Sequence, residues 1–320
     1  MSPTAQRYLQ IALGVLGVLA AGWMLGHTDF TAVRAFGALT LLVVALEGLR
    51  VLLEAQATRA LLGCTSVRSA PLEGSVTIPW RPLLRVHLIA YAFAMVMPAG
   101  RTVAEASKAV LLRTWVGGAR GVGVGATNQA LVLLAGGLFA GVCAGAAQWR
   151  GHSSLALGVS AQALALLVSG GVLLASLRSP RLARWIATRL PRVAKWVQGA
   201  NDGARVAGVP TALWCFIGHR AVQALQLALL LAALGRCEPL VVLAFTGATI
   251  VGTSVGVAVP GQLGAVGGAL ALAAPGLGFT AAEGLALALM LHVAQLSWAA
   301  LGFATWALTR APSSEDSPKP

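Results

Sequence analysis

The chain has 320 residues, of which 57% are hydrophobic and only 10% charged, and its mean hydropathy is +0.79. Roughly a quarter of the residues in an ordinary soluble domain are charged, so most of the usual water-facing surface is missing and lipid must take its place. This excludes a water-soluble enzyme, a disordered chain, a fibre and a secreted disulfide scaffold, and it makes the net charge of +13 a topology signal before it is a sign of nucleic acid.

In chain order, apolar runs fall at about 8–26, 34–53, 84–97, 120–147, 153–177, 210–234, 240–259 and 281–308. Their lengths fit helices and exceed barrel strands, which gives an all-α polytopic membrane protein with about eight hydrophobic elements. The first run follows Arg7 and lacks a small-residue cleavage site, so it is expected to be an uncleaved span. The third is too short to cross ~30 Å of hydrocarbon at ~1.5 Å per residue and is expected to be a half-helix. It ends at Met97-Pro98-Ala99-Gly100, and residues 101–120 then carry Arg101, Lys108, Arg113 and Arg120. A turn at Pro98 keeps those bases on the cytoplasmic side. Segments 84–97 and 101–118 are therefore expected to form a re-entrant hairpin. A second break, Val259-Pro260-Gly261, interrupts the later apolar sequence at the corresponding position.

These elements suggest one membrane domain over residues 1–310, built of two repeats at about 8–147 and 153–308. Each repeat holds two spans, a Pro/Gly-broken hairpin and a third span. Three crossings per half invert the second half relative to the first and leave both termini cytoplasmic. With that orientation, nineteen of the 23 Lys and Arg residues face the cytoplasm. Between the halves, residues 178–208 place seven bases against Asp202, with Leu182, Ile186, Leu190, Val193 and Val197 on one helical face. This predicts a basic amphipathic cytoplasmic loop lying on anionic lipid. Residues 311–320 are expected to be a disordered tail, and the scattered Cys64, Cys143, Cys215 and Cys237 to be small apolar residues.

Non-helical backbone at membrane depth is tolerated only inside protein or along a water-filled cavity, and broken helices at matched positions of inverted halves point to a transporter's binding site. In the first hairpin Arg101, Glu105 and Lys108 stand at i, i+4 and i+7 on one helix face, with Arg113 a turn further. Such a stripe can grip a lipid phosphate, with Glu105 positioning the bases or meeting an ammonium group. Simple pairing of Glu105 with Arg101 or Lys108 is the bland alternative. In the second hairpin, Pro260-Gly261-Gln262-Leu263-Gly264-Ala265-Val266-Gly267-Gly268 puts glycines 261, 264 and 268 along one side. A headgroup could reach backbone N–H groups there, or another helix could pack closely. Within spans lie Glu47, Arg50, His87, His219, Arg220, Glu283, His292 and Gln295. Arg220 lies deepest, so an ion pair with Glu47 or Glu283 and a substrate contact are both expected uses of it. His87 and Arg50 are expected at interfaces, where snorkelling suffices.

On these residues the chain resembles the flippase-like family typified by the transmembrane region of lysylphosphatidylglycerol synthases. Pro98-Ala-Gly-Arg101-Thr-Val-Ala-Glu105-Ala-Ser-Lys108 is similar to that family's Pro-Gly-Arg-x-Gly-Glu-x-x-Arg stretch. Pro260-Gly261-Gln262-Leu263-Gly264 is similar to its Pro-Gly-Gly-x-Gly, and a last span with Trp298 and Gly302 follows. The resemblance covers residues 8–308. It implies a flippase or related transporter that moves an anionic or aminoacylated phospholipid, or another phosphate-bearing lipid, across the cell inner membrane. Ala104, Lys108 and Gln262 depart from the family's Gly, Arg and Gly, Gly267 and Gly268 occupy the place of an acidic residue, and His292 stands where Arg is common. These departures bear on headgroup preference more than on fold. With residues 311–320 alone following the last span, no aminoacyl-transfer domain is expected here.

The substrate-binding set expected from these readings is Pro98, Gly100, Arg101, Glu105, Lys108, Arg113, Arg220, Pro260, Gly261, Gln262, Gly264 and His292. No P-loop, zinc-ligand or dinucleotide pattern is present, so neither an enzyme, a cofactor, a metal nor a nucleic-acid partner is expected, although self-association is open. Two other classes compete. One is an accessory protein that binds lipid or a partner without transport. The other is an intramembrane serine hydrolase, since Gly252-Thr253-Ser254-Val255-Gly256 is a literal G-x-S-x-G and His292 could supply a base. That motif works as a strand-to-helix elbow, whereas here it sits in apolar helical sequence.

Overall fold

The computed structural model describes residues 26–63, 78–179, 181, 185, 188, 208–262 and 264–310. Among them the chain is helical and carries no strand. In order these helices are α1 (Phe30–Phe36), α2 (Leu39–Leu61), α3 (Trp80–Val96), α4 (Gly100–Val116), α5 (Gly118–Trp149), α6 (Ser153–Arg178), α7 (Val209–Ala233), α8 (Pro239–Val255), α9 (Ala265–Ala273) and α10 (Ala281–Arg310). Short 3-10 turns at Gly256–Ala258, Pro260–Gln262 and Pro275–Leu277 connect the later ones.

Five segments are long and apolar enough to cross a membrane: Gly118–Trp149, Ser153–Arg178, Val209–Ala233, Pro239–Ala258 and Ala281–Thr309. The α1–α2 pair, bent by 74°, makes up to six. The expected run 34–53 is therefore a kinked element that continues to Leu61, its bend set at Gly37, whose φ is +39°. The run at 8–26 falls outside the described residues except for Gly26. The basic 178–208 loop, apart from a few residues, and the 311–320 tail also lie outside them. Local signals explain the helix ends. The Asp29 carboxylate accepts from the Thr31 and Ala32 N–H groups to cap α1, and Thr280 and Glu283 cap one another's N–H groups to start α10.

Both breaks are sharp turns between antiparallel helices. In the first, Ala99 takes a left-handed conformation (φ 54°, ψ 38°) and Gly100 lies so close to the Ala94 carbonyl that a Cβ would approach it to 2.0 Å. In the second, Gly261 (φ 59°), Gln262 (φ 57°) and Gly264 (φ 83°) turn the chain. Ala99 and Gln262 are the non-glycine residues with positive φ among those described, so a turn that usually calls for glycine stands at each tip. The 17-residue α3 and α4 are each about 25 Å long, short of a full span.

The hairpins enter from opposite ends of the bundle. At one end, Gly208 packs on Ala60, Arg59 stacks over Trp80, and Arg120 donates to the Leu62 carbonyl. Both ends of the α3–α4 hairpin are thereby held with the end of α2 and the start of α7. At the other, Arg150 pairs with Glu238 at 2.7 Å and Arg236 donates to the Gly278 carbonyl and lies over Phe279. This holds the two ends of the α8–α9 hairpin beside the end of α5 and the start of α10. The tips meet where the Ala99 N–H donates to the Val257 carbonyl at 3.0 Å.

Glycine lets these helices approach, but not where the stripe at 261, 264 and 268 suggests. Gly261 and Gly264 serve the turn, and a Cβ on Gly268 would meet open space. The close contacts come from the partners: Gly252 sits against Ala265 and Val266, Gly284 against Leu270, Gly302 against Leu88, and Gly48 against the Trp298 ring. Helix α6 is peripheral, with far less of its length buried than α5.

Candidate functional site

Around the tips the helices enclose a cavity of about 340 Å³. Its walls bring together groups that are distant in sequence. Helix α2 contributes Glu47, Arg50 and Glu54 at i, i+3 and i+7; α3 contributes His87 and Tyr91; α4 contributes Arg101 and Lys108. The remaining polar groups come from Gln129 on α5, His219, Arg220 and Gln223 on α7, Thr249, Thr253 and Ser254 on α8, Gln262 at the second tip, and His292 and Gln295 on α10.

Two ionic clusters stand in this wall. In the larger, Glu54 pairs with Arg101 at 2.5 Å and Lys108 at 3.8 Å, and His219 Nε2 lies 3.5 Å from the same carboxylate. Glu105 closes it from behind, 2.8 Å from Lys108 and 3.5 Å from Arg101, with Asn128 linking Glu105 to Thr58. In the smaller, the Glu47 carboxylate accepts from Arg50 at 2.6 Å, Tyr91 at 2.6 Å and Gln226 at 3.1 Å. Each cluster balances its formal charges. Arg220 breaks the balance: its guanidinium donates to the Gln223 side chain at 2.8 Å, and among the described residues no carboxylate stands within salt-bridge reach of it. With the histidines neutral, the group has one excess positive charge, and that excess sits at Arg220.

Several buried polar atoms at the cavity make no hydrogen bond: Arg101 Nε and Nη2, His87 Nε2, His292 Nε2 and Gln129 Oε1. Such a group costs about 1–3 kcal/mol when left unsatisfied, and a concentration of them from α3, α4, α5 and α10 around one cavity marks a place where a polar ligand or water is accommodated. His292 Nδ1 is 2.8 Å from the Ala288 carbonyl, so this nitrogen carries a hydrogen.

Of the twelve residues expected from sequence, Gly100, Arg101, Lys108, Arg220, Gly261, Gln262 and His292 line the cavity. Glu105 lies just behind, bonded to Lys108. Pro98 and Gly264 shape the turns. Pro260 begins the second 3-10 turn. Arg113 is exposed, because the buried face of α4 runs through Ala104, Glu105, Lys108 and Leu112, and the next residue points outward.

Other expectations change. Arg220 pairs with neither candidate acid, since Glu47 is taken by Arg50 and Glu283 by the α10 cap. His87 and Arg50 are buried in the cavity wall rather than snorkelling at an interface. Ser254 accepts from Gln162 at 2.8 Å and donates to the Ile250 carbonyl, and no hydrogen bond joins it to His292. Its surroundings are helical, without a nucleophile elbow. The centre of the larger cluster, Glu54, was absent from the expected set. Its signal is the spacing of Glu47, Arg50 and Glu54, which places three ionisable groups on one face of an apolar helix.

Long apolar helices surrounding a buried polar cavity make this an integral, multi-pass membrane protein. The chain belongs to the family described as the lysylphosphatidylglycerol synthase transmembrane region, which matches residues 9–302. No curated protein and no solved structure matches it.

Proposed function

We propose that the protein moves a phosphate-bearing lipid headgroup across the membrane, with the headgroup passing through the cavity at the hairpin tips and the acyl chains staying in lipid. The observation that carries this reading is the tip-to-tip meeting of two hairpins from opposite ends of the bundle beside an excess positive charge. Broken helices at such a junction are the usual form of a transporter's binding site. A headgroup phosphate is matched by Arg220, with the Arg101 nitrogens that make no hydrogen bond lining the same cavity. An anionic or aminoacylated phospholipid carries the phosphate that this excess positive charge would meet.

An inverted repeat is supported by the packing. Exchanging the halves maps the contact of α3 with α10 onto that of α8 with α5, and α4 with α5 onto α9 with α10. It also maps α5 with α7 onto α10 with α2, while α2 and α7 pack on each other. Placement in the cell inner membrane with both termini cytoplasmic rests on the basic residues at the Leu61–Gly208 end, among them Arg59, Arg81, Arg85, Arg113 and Arg120. The chain is read as a transporter without catalytic chemistry of its own.

The test is lipid scrambling by the full chain in proteoliposomes, followed by quenching of fluorescent phospholipids from outside. Wild type is expected to expose inner-leaflet lipid, and Arg220→Gln to slow this at least ten-fold, about 1.4 kcal/mol or more, while folding normally because it orphans no carboxylate. Protein-free rates for wild type, or an unchanged rate for Arg220→Gln, would overturn the reading; retention of lipid without movement would make the protein an accessory binder.

A further inference from the structure

We propose that a groove between α3 and α10, outside the cavity, binds the headgroup of an anionic phospholipid at the membrane surface. The groove, of about 730 Å³, is lined by Arg81, Leu84, Arg85 and Leu88 of α3 and by Thr305, Leu308 and Thr309 of α10. The helices run antiparallel, and Gly302 packs on the Leu88 carbonyl, which fixes their register. Arg81 and Arg85 are one turn apart on one helix face, and Thr305 and Thr309 are one turn apart on the other. The register sets Arg85 opposite Thr305 and Arg81 opposite Thr309, giving two rungs that each pair a guanidinium with a hydroxyl.

The two Arg–Thr rungs lie toward the end of the bundle, with Leu84 and Leu308 between them. Arg81 and Thr309 lie nearest the end of the bundle, and Leu88 lies deepest, above the closed Gly302 contact. Trp80 adjoins the outer rung and Trp306 follows Thr305, in keeping with the aromatic belt at headgroup level. A phospholipid has the same order, with phosphate outside and acyl chain within. Among the described residues no carboxylate pairs with Arg81 or Arg85, and both are exposed, so the charge is available to a ligand. Thr305 and Thr309 donate their hydroxyl hydrogens to helix carbonyls, leaving oxygen lone pairs to meet the guanidinium groups or a headgroup hydroxyl. Two guanidinium forks suit phosphate better than point charges would. Basic pockets between membrane helices on the positively charged side recognise lipid phosphates in this way. The site stands whether or not the protein transports lipid.

The experiment uses the full chain in micelles with equal phosphatidylglycerol and phosphatidylcholine, counting retained lipids by native mass spectrometry. Wild type is expected to hold a phosphatidylglycerol that the Arg81→Gln/Arg85→Gln variant loses at least ten-fold and that Arg113→Gln, at an exposed base outside both groove and cavity, keeps. Because the Gln variant also lowers net charge, Arg81→Lys/Arg85→Lys serves as its partner and is expected to lose several-fold at constant charge. Retention unchanged in the double Gln variant, equal retention of phosphatidylcholine, or displacement by millimolar glycerol phosphate would each overturn the proposal. Loss with Arg220→Gln but not with the groove variants would assign the retained lipid to the cavity and would overturn it as well.

Discussion

Charge accounting inside the cavity changes which residues matter most. Arg101, Glu105 and Lys108 are recognisable from sequence because they recur at helical spacing next to a break, but they are largely committed to one another and to Glu54. Arg220, by contrast, shows in sequence only as a cation deep in a span. Its lack of a carboxylate emerges once α2 and α7 are packed together. Stability and transport should therefore separate between residues. Removing one partner of a buried ion pair costs about 3–5 kcal/mol, so Glu54→Gln, which strips Arg101 and Lys108 of their shared acid, is expected to lower the midpoint of thermal unfolding in detergent markedly. Arg220→Gln is expected to leave that midpoint within a degree or two. A Glu54→Gln protein as stable as wild type would mean the cluster is far more hydrated than its burial implies.

At the scale of elements, backbone breaks are well marked in sequence and helix contacts are not. Pro98-Ala99-Gly100 and Val259-Pro260-Gly261 announce turns through residues with known conformational limits, and both turns form there. The glycine positions that decide packing are less legible, because small size permits a contact without specifying the partner. Gly48 illustrates this: it lies mid-helix in α2 with nothing in the sequence to name its partner, yet a Cβ there would clash with the Trp298 ring, whose Nε1 donates to the Val44 carbonyl at 2.7 Å. Overfilling a packed interior costs about 1–3 kcal/mol. Gly48→Ala is expected to lose that much and to free Trp298, readable as a red-shifted tryptophan emission and a lower melting point. Gly268→Ala, facing open space, is expected to change neither.

For the whole molecule, composition and charge already imply a lipid-embedded helical bundle, and the order of long and broken elements already suggests two halves. What sequence could not supply is the meeting of the halves, since the groups that make contact at the tips are separated by about half the chain. If the headgroup passes between the tips, then tying them together must stop it. Cysteines at Ala99 and Val257 in a background without the native cysteines, joined by a short bifunctional thiol reagent, are expected to abolish scrambling, with activity returning when a cleavable linker is reduced. Full activity in the cross-linked protein would place the path elsewhere. The bond that joins the tips, from the Ala99 N–H to the Val257 carbonyl, has a consequence of its own. It is a latch made wholly of peptide groups, so no side-chain truncation can delete it, and its strength is indifferent to which residues occupy the tips provided that the backbone can make the turns. Mutational scans that swap side chains will pass over this latch, and only changes to the backbone itself, such as an ester in place of the Ala99 amide, can weigh it.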